Sequence, residues 1–131
     1  MKTTIALALG AVLASGAALA SANLMSSVPS SSLTVTDWYK QAVYDRNNTK
    51  IGDINDVLVG SNGQINALIV GVGGFLGAGE KDVAVNFTSI QQTMKDNKVY
   101  LTMDTTKDAL KSAPAFKYDS NKNTRVRDTL K

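Results

Sequence analysis

At 131 residues the chain suits one domain, and its apolar fraction of 44% and charged fraction of 19% are those of an ordinary globular protein. It contains neither histidine nor cysteine, which excludes Ser-His-Asp and Cys-His nucleophiles, thiolate–zinc sites, imidazole acid/base chemistry and disulfides. The formal charge of +3, from 14 basic and 11 acidic residues, is too slight an excess to mark a nucleic-acid binder.

The chain opens with Met1-Lys2 and an apolar run from Ile5 to Ala14 that is interrupted by Gly10. Ser15 and Gly16 break the run before it reaches the ~20 apolar residues needed to span a bilayer. Ala18-Leu19-Ala20 and Ala20-Ser21-Ala22 are small-x-small cleavage patterns. Residues 1–20 are therefore predicted to be a cleavable signal peptide, with cleavage after residue 22 as the alternative, and the chain to be exported to the periplasm. Six serines and Pro29 between Ser21 and Leu33, without apolar periodicity, predict a Ser-rich linker over residues 21–36.

The folded part, residues 37–116, starts at Trp38 and Tyr39, with a first strand centred on Ala42–Asp45. Ile51–Val59 reads as a strand, with a bulge or bend at Gly52. Asn62-Gly63 predicts a type I′ hairpin turn. Ile65–Val72 is apolar on both faces, with Ile65, Ala67 and Ile69 on one and Leu68, Val70 and Val72 on the other, so both faces should be covered. A glycine loop with Gly73, Gly74, Gly77 and Gly79 then reverses the chain into Asp82–Phe87, where Val83, Val85 and Phe87 share one face. Thr88–Met94 is a weaker strand, and Lys98–Asp104 a clear one. Thr106–Ala113 predicts one or two helical turns, capped by Thr105 or Thr106 and stopped by Pro114. Residues 117–131 read as a basic polar tail, with Lys117, Lys122, Arg125, Arg127 and Lys131 against Asp119 and Asp128.

The glycine loop does not match the phosphate-binding patterns. Gly74-x4-Gly79 is followed by Glu80 rather than Lys, and Gly71-x-Gly73 meets Leu76 where the last glycine belongs. Asp119-x-Asn121-x-Asn123 and Asp45-x-Asn47-x-Thr49 have the opening spacing of calcium loops but lack the later glycine and glutamate. Glu80 and Asp82 could face the same way as a carboxylate pair, with Lys81 between them at a solvated strand mouth. Phe75 and Leu76, large and apolar among glycines, either plug the barrel end or anchor a partner, and the needs of a small core favour the plug. Trp38 and Tyr39 carry the same two readings.

Ile51-Gly52-Asp53-Ile54, Asp56-Val57-Leu58-Val59, Val72-Gly73-Gly74-Phe75-Leu76-Gly77, Glu80-Lys81-Asp82-Val83-Ala84-Val85 and Leu110…Ala113-Pro114 resemble the PRC-barrel family, and most of all its small exported bacterial members. Two positions depart from the family pattern: Asn86 stands where proline usually follows Val-Ala-Val, and Arg125 where exported members often carry a tryptophan. The resemblance implies an all-β fold: a small PRC-type β-barrel of five to six short antiparallel strands with a short C-terminal helix. It further implies a contact or assembly module with no catalytic residue set, as in the H subunit of photosynthetic reaction centres and a ribosome-maturation factor. The partners so implied are another envelope protein or a second copy of the chain, with peripheral membrane contact also open and no nucleic acid. No cofactor or metal is expected. The expected contact residues are Trp38, Tyr39, Phe75 and Leu76, and the glycines are structural. Binding of a small ligand or ion by an envelope protein linked to stress is the alternative function, and carboxylate catalysis by Glu80 and Asp82 a third.

Overall fold

The computed structural model describes residues 22–75 and 79–131. The chain divides into two units, Met1–Ser32 and Leu33–Lys131. The predicted signal peptide, residues 1–20, lies outside the described residues. Residues 22–32 form no helix or strand, only a turn closed by the Ser32 amide donating to the Pro29 carbonyl at 3.0 Å.

The second unit opens on a short helix, α1 (Val35–Trp38), whose N-cap Thr34 accepts the Asp37 amide at 3.2 Å through Oγ1. Eight strands follow: β1 (Ala42–Tyr44), β2 (Lys50–Val59), β3 (Ile65–Phe75), β4 (Gly79–Asn86), β5 (Ile90–Lys95), β6 (Lys98–Met103), β7 (Ala115–Asp119) and β8 (Thr124–Asp128). A 3₁₀ turn at Phe87–Ser89 precedes β5, and α2 (Lys107–Ser112) sits between β6 and β7 with Thr106 as its N-cap. The strands form one sheet in the order β5-β6-β1-β2-β3-β4-β7-β8. β1 pairs parallel to β6, and every other neighbour is antiparallel.

This fold is mostly β, as expected, but four expectations are corrected. The strands number eight rather than five or six, the sheet is mixed rather than antiparallel, and no pairing among the described residues joins β5 to β8 to close a barrel. The helix is not the last element, because β7 and β8 follow it. The segment read as a tail thus supplies a hairpin. Its polar residues gave no apolar alternation to mark it as paired strands.

Turn chemistry differs from expectation at one place and explains another. Of Asn62 and Gly63, only Gly63 has positive φ (83°), and the β2–β3 loop runs from Gly60 to Gln64, with the Gly63 amide on the Gly60 carbonyl at 2.9 Å. The loop is therefore a wider turn than the expected type I′. The two-residue connection with positive φ at both positions is Asp96 (53°) and Asn97 (62°), between paired Lys95 and Lys98. Asn86 has φ −62° and ψ 140°, so its backbone already has the geometry of the family's proline.

The sheet curls so that one face of β1 to β6 lines a single core. Val43, Ile51, Ile54, Leu68, Val70, Val72, Val83, Ile90, Leu101 and Met103 meet Trp38 of α1 and Leu110 of α2. Burying one such Val, Leu or Ile side chain is worth about 1.5–3 kcal/mol relative to leaving it exposed. Two of the register shifts leave an extra residue on β2. One falls between Val43↔Gly52 and Tyr44↔Lys50, beside the expected bend at Gly52, and the other at Asn55, between Ile54↔Val70 and Asp56↔Ile69.

At the first irregularity β2 and β3 approach closely. A Cβ on Gly52 would lie 2.6 Å from both the Gly71 carbonyl oxygen and Val70 Cγ1. Backbone cannot swing aside as a side-chain tip can, so we expect Gly52→Ala to cost about 1–3 kcal/mol. A shift of the denaturant midpoint at unchanged m-value checks this, and an unshifted midpoint would show that the two strands can separate freely here.

Candidate functional site

Two surfaces carry the residues singled out from the sequence: the glycine-rich end of the β3–β4 hairpin, and the opposite end of β2 and β3, around α1.

At the glycine end, β3 does not stop at Val72. It continues through Gly73 and Gly74 to Phe75, which pairs with Gly79 across a register shift. Gly79 takes positive φ (70°), the conformation expected of a turn glycine, whereas Gly73 is a strand residue. Leu76 and Gly77 lie outside the described residues.

Gly52, Gly71 and Gly73 line a cleft of about 360 Å³ together with Lys50, Asp53, Glu80 and Lys107. Lys50 donates to Asp53 at 2.9 Å. That hydrogen bond and charge hold the Lys50 ammonium above the ordinary lysine value, so Lys50 keeps its charge through neutral pH and gives it up only as pH rises past that raised value. Gly71 is covered by side-chain tips rather than by backbone. A side chain there would run into Glu80 Oε1 and Asn55 Nδ2, which meet over it.

Those two atoms belong to a polar group on the outer face of β2, β3 and β4. The bulge at Asn55 places Asn55 and Asp56 on the same face, where alternation would have separated them. Asn55 Nδ2 donates to Glu80 Oε1 and, at 2.8 Å, to Asp82 Oδ1. From β8, Arg125 donates through Nε to Asp56 Oδ2 at 3.1 Å and through Nη1 to Asp82 Oδ2 at 2.9 Å, with its side chain only 14% exposed. Asp56 neighbours Ile69 and Asp82 neighbours Gly71, so the guanidinium reaches across β3. Lys131 Nζ adds a bond to the Glu80 carbonyl at 2.8 Å. The carboxylates of Glu80 and Asp82 are thus engaged in holding the sheet and its last hairpin together.

Lys81 corrects the picture of a solvated strand mouth. Its side chain is buried, and Nζ donates to the Lys111 carbonyl near the end of α2, where a cation meets the negative end of the helix. The calcium-like spacings serve turns: Asp45 Oδ1 accepts the Asn47 and Thr49 amides at 2.8 and 2.9 Å, and Asp119 Oδ1 accepts the Asn121 amide at 2.9 Å. Among the described residues, no three acidic side chains converge as a metal site would require.

At the α1 end, Trp38 belongs to the core rather than to a contact surface. It is 5% exposed, stacks on Phe87 with ring centroids 5.1 Å apart, and donates Nε1–H to Gln92 Oε1. Tyr39 is half exposed, with Lys40 Nζ 5.2 Å from its ring centre. A small hollow of about 30 Å³ opens beside Trp38, walled by Leu33, Val35, Val57, Ile65 and Phe87. Of these, Leu33 and Val35 leave more than half of their surface exposed. These aliphatic residues were not singled out from the sequence. Their signal was an apolar Leu33-x-Val35 beside the linker, which reads as nothing until the hollow is seen.

A family model described as the PRC-barrel domain matches residues 32–110. A search of curated proteins finds no significant match. The matched segment takes in α1, β1 to β6 and the start of α2, and stops short of the β7–β8 hairpin.

The hairpin joins the sheet at the single backbone pairing Val83↔Ala115, so side-chain bonds must contribute much of its attachment. We expect Arg125→Ala to cost about 1.5–3 kcal/mol, the scale of hydrogen bonds to charged groups. Amide exchange should rise in β8 while β3 stays protected. Equal exchange in both proteins would show that the guanidinium does not hold the hairpin.

Proposed function

The chain belongs to the PRC-barrel family, and from that footing we propose that it is a non-catalytic contact module of the bacterial envelope, exported to the periplasm by its N-terminal segment. The observation that carries this reading is the apolar rim at the α1 end. Leu33 and Val35 stand at the mouth of a hollow backed by Trp38 and Phe87, and an exposed aliphatic rim around a hollow suits a partner's apolar side chain. Tyr39, half exposed and backed by Lys40, supplies the amphipathic edge common at such surfaces. The engagement of Glu80, Asp82 and Asp56 by Asn55 and Arg125 supports the non-catalytic part, since those groups hold the fold together. The partner is another envelope protein or a second copy of this chain.

The test is co-purification from periplasmic extract. We expect wild type to retain a partner that the Leu33→Asp, Val35→Asp double variant loses by at least about tenfold, since a charge in an apolar contact is left unpaired. Phe75→Asp measures the share of the glycine hairpin separately. Identical partner sets for a folded rim variant and wild type would remove the rim as the contact surface.

The charged cleft at Lys50, Asp53, Glu80 and Lys107 supports the second reading, small-ligand or ion binding in the envelope. A bound ligand raises the melting temperature by mass action. A panel of divalent cations and small anionic metabolites should raise it on this reading, and a flat panel would retire it.

A further inference from the structure

One edge of the sheet is open. β5 stands at the end of the strand order and pairs only with β6 among the described residues, through six consecutive pairs without a shift. The two-residue turn at Asp96 and Asn97, both at positive φ, makes its flanking pair Lys95↔Lys98 a hydrogen-bonded one. Alternation then makes Thr93↔Tyr100 and Gln91↔Thr102 hydrogen-bonded, while Met94↔Val99, Gln92↔Leu101 and Ile90↔Met103 turn their backbone groups away from each other. Two contacts on the other side of β6 agree. Gln41 Nε2 meets the Val99 carbonyl there at 3.1 Å, and Leu101 pairs with Val43 of β1. The N–H and C=O of Gln92 and Met94 and the C=O of Ile90 therefore face outward from the sheet, whereas the Ile90 N–H already donates to the Phe87 carbonyl. On this edge Met94 leaves 63% of its surface exposed.

We propose that β5 pairs antiparallel with β5 of a second copy of the chain, the two-fold axis passing through Gln92. The strand has the same pattern in both directions about that residue: Ile90 and Met94 are apolar, Gln91 and Thr93 polar. In this register Gln92 bonds to its own counterpart, and the Met94 N–H donates to the Ile90 carbonyl across the axis. Ile90, Gln92 and Met94 share the face of β5 that meets the core, so exposed Met94 is set beside Ile90 of the other copy and covered there. On the opposite face, exposed Gln91 lies across from exposed Thr93. Lys95, the one charge of the strand, falls opposite Ser89 and not opposite itself. The β8 edge fails the same test, because pairing about Val126 would set Arg125 against Arg127. β5 also lacks the proline, bulge or central charge that blocks an edge. This pairing does not use the rim at Leu33 and Val35.

Sedimentation equilibrium of the purified protein tests the proposal. We expect a reversible monomer–dimer equilibrium with no larger species, since a two-fold contact closes on itself. Met94→Lys should weaken it by at least about tenfold, because a charge is then placed in an apolar contact. Met94→Pro should abolish it at an unchanged circular-dichroism spectrum, since the Met94 N–H faces outward and the β6 ladder loses no bond. The chain has no cysteine, so introduced thiols report the register. Gln91→Cys mixed with Thr93→Cys should give a disulfide-linked dimer on mild oxidation, because the two positions meet as a non-hydrogen-bonded pair with Cα atoms ~4.5 Å apart. Either variant alone should link at least about tenfold less, its own copies being offset along the strand. A monomer at every concentration, a dimer that both Met94 variants leave intact, or equal linking by one variant and by the mixture would each overturn the proposal. Leu33→Asp with Val35→Asp should dimerise as wild type does. A dimer lost only in that variant would belong to the rim and overturn the β5 pairing, so the two readings fail separately.

Discussion

The whole architecture answers one demand, that β3 be covered on both faces. Its run from Ile65 to Val72 has almost no polar side to offer water, and Leu68, Ile69, Val70 and Val72 are all fully buried. A single flat sheet could cover neither side of such a strand. The core face is covered by curl, which brings β5 and β6 round to meet β4 across Leu68, Val70 and Val72. The other face has a different cover, made from the polar bridge over Ile69 and Gly71. One strand therefore requires an apolar solution on one side and a hydrogen-bonded one on the other.

Curl has its own weak point. The only parallel pairing among the described residues, β1 with β6, rests on the pairs Val43↔Leu101 and Tyr44↔Thr102. Side chains reinforce it on both faces. Outside, Tyr44 and Tyr100 stack at 4.9 Å, Lys95 lies 4.7 Å from the Tyr100 ring centre, and Tyr100 Oη donates to Asn48. Towards the core, Trp38 reaches Gln92, and Gln41 Nε2 reaches the Val99 carbonyl at 3.1 Å. Trp38 is thus needed to hold the β5–β6 hairpin against the start of the domain, which explains why it is buried rather than offered to a partner.

What could be read from the residues follows from how local each signal is. The strands β1 to β6 and α2 were legible because alternation, Asn-rich turns and the Thr106 cap act within a few residues. The two faces of β3 were legible for the same reason. The parallel pairing was not, since nothing near Val43 or Leu101 encodes a meeting of segments more than fifty residues apart. The bulge at Asn55 was hidden because one extra residue changes which face Asp56 occupies without changing composition. Arg125 stood out in the sequence only as a missing tryptophan. Its role becomes visible once Asp56 and Asp82 are known to flank β3 on one face.

The outer cover depends on its surroundings in a way the core does not. A guanidinium between two partly exposed carboxylates is weakened by salt. Arg125 is 14% exposed, but Asp56 and Asp82 are 39% and 23% exposed. The apolar core beneath β1 to β6 has no such dependence. The two halves of the cover over β3 are therefore of unequal kind, and the hairpin is the part whose attachment the surroundings can tune.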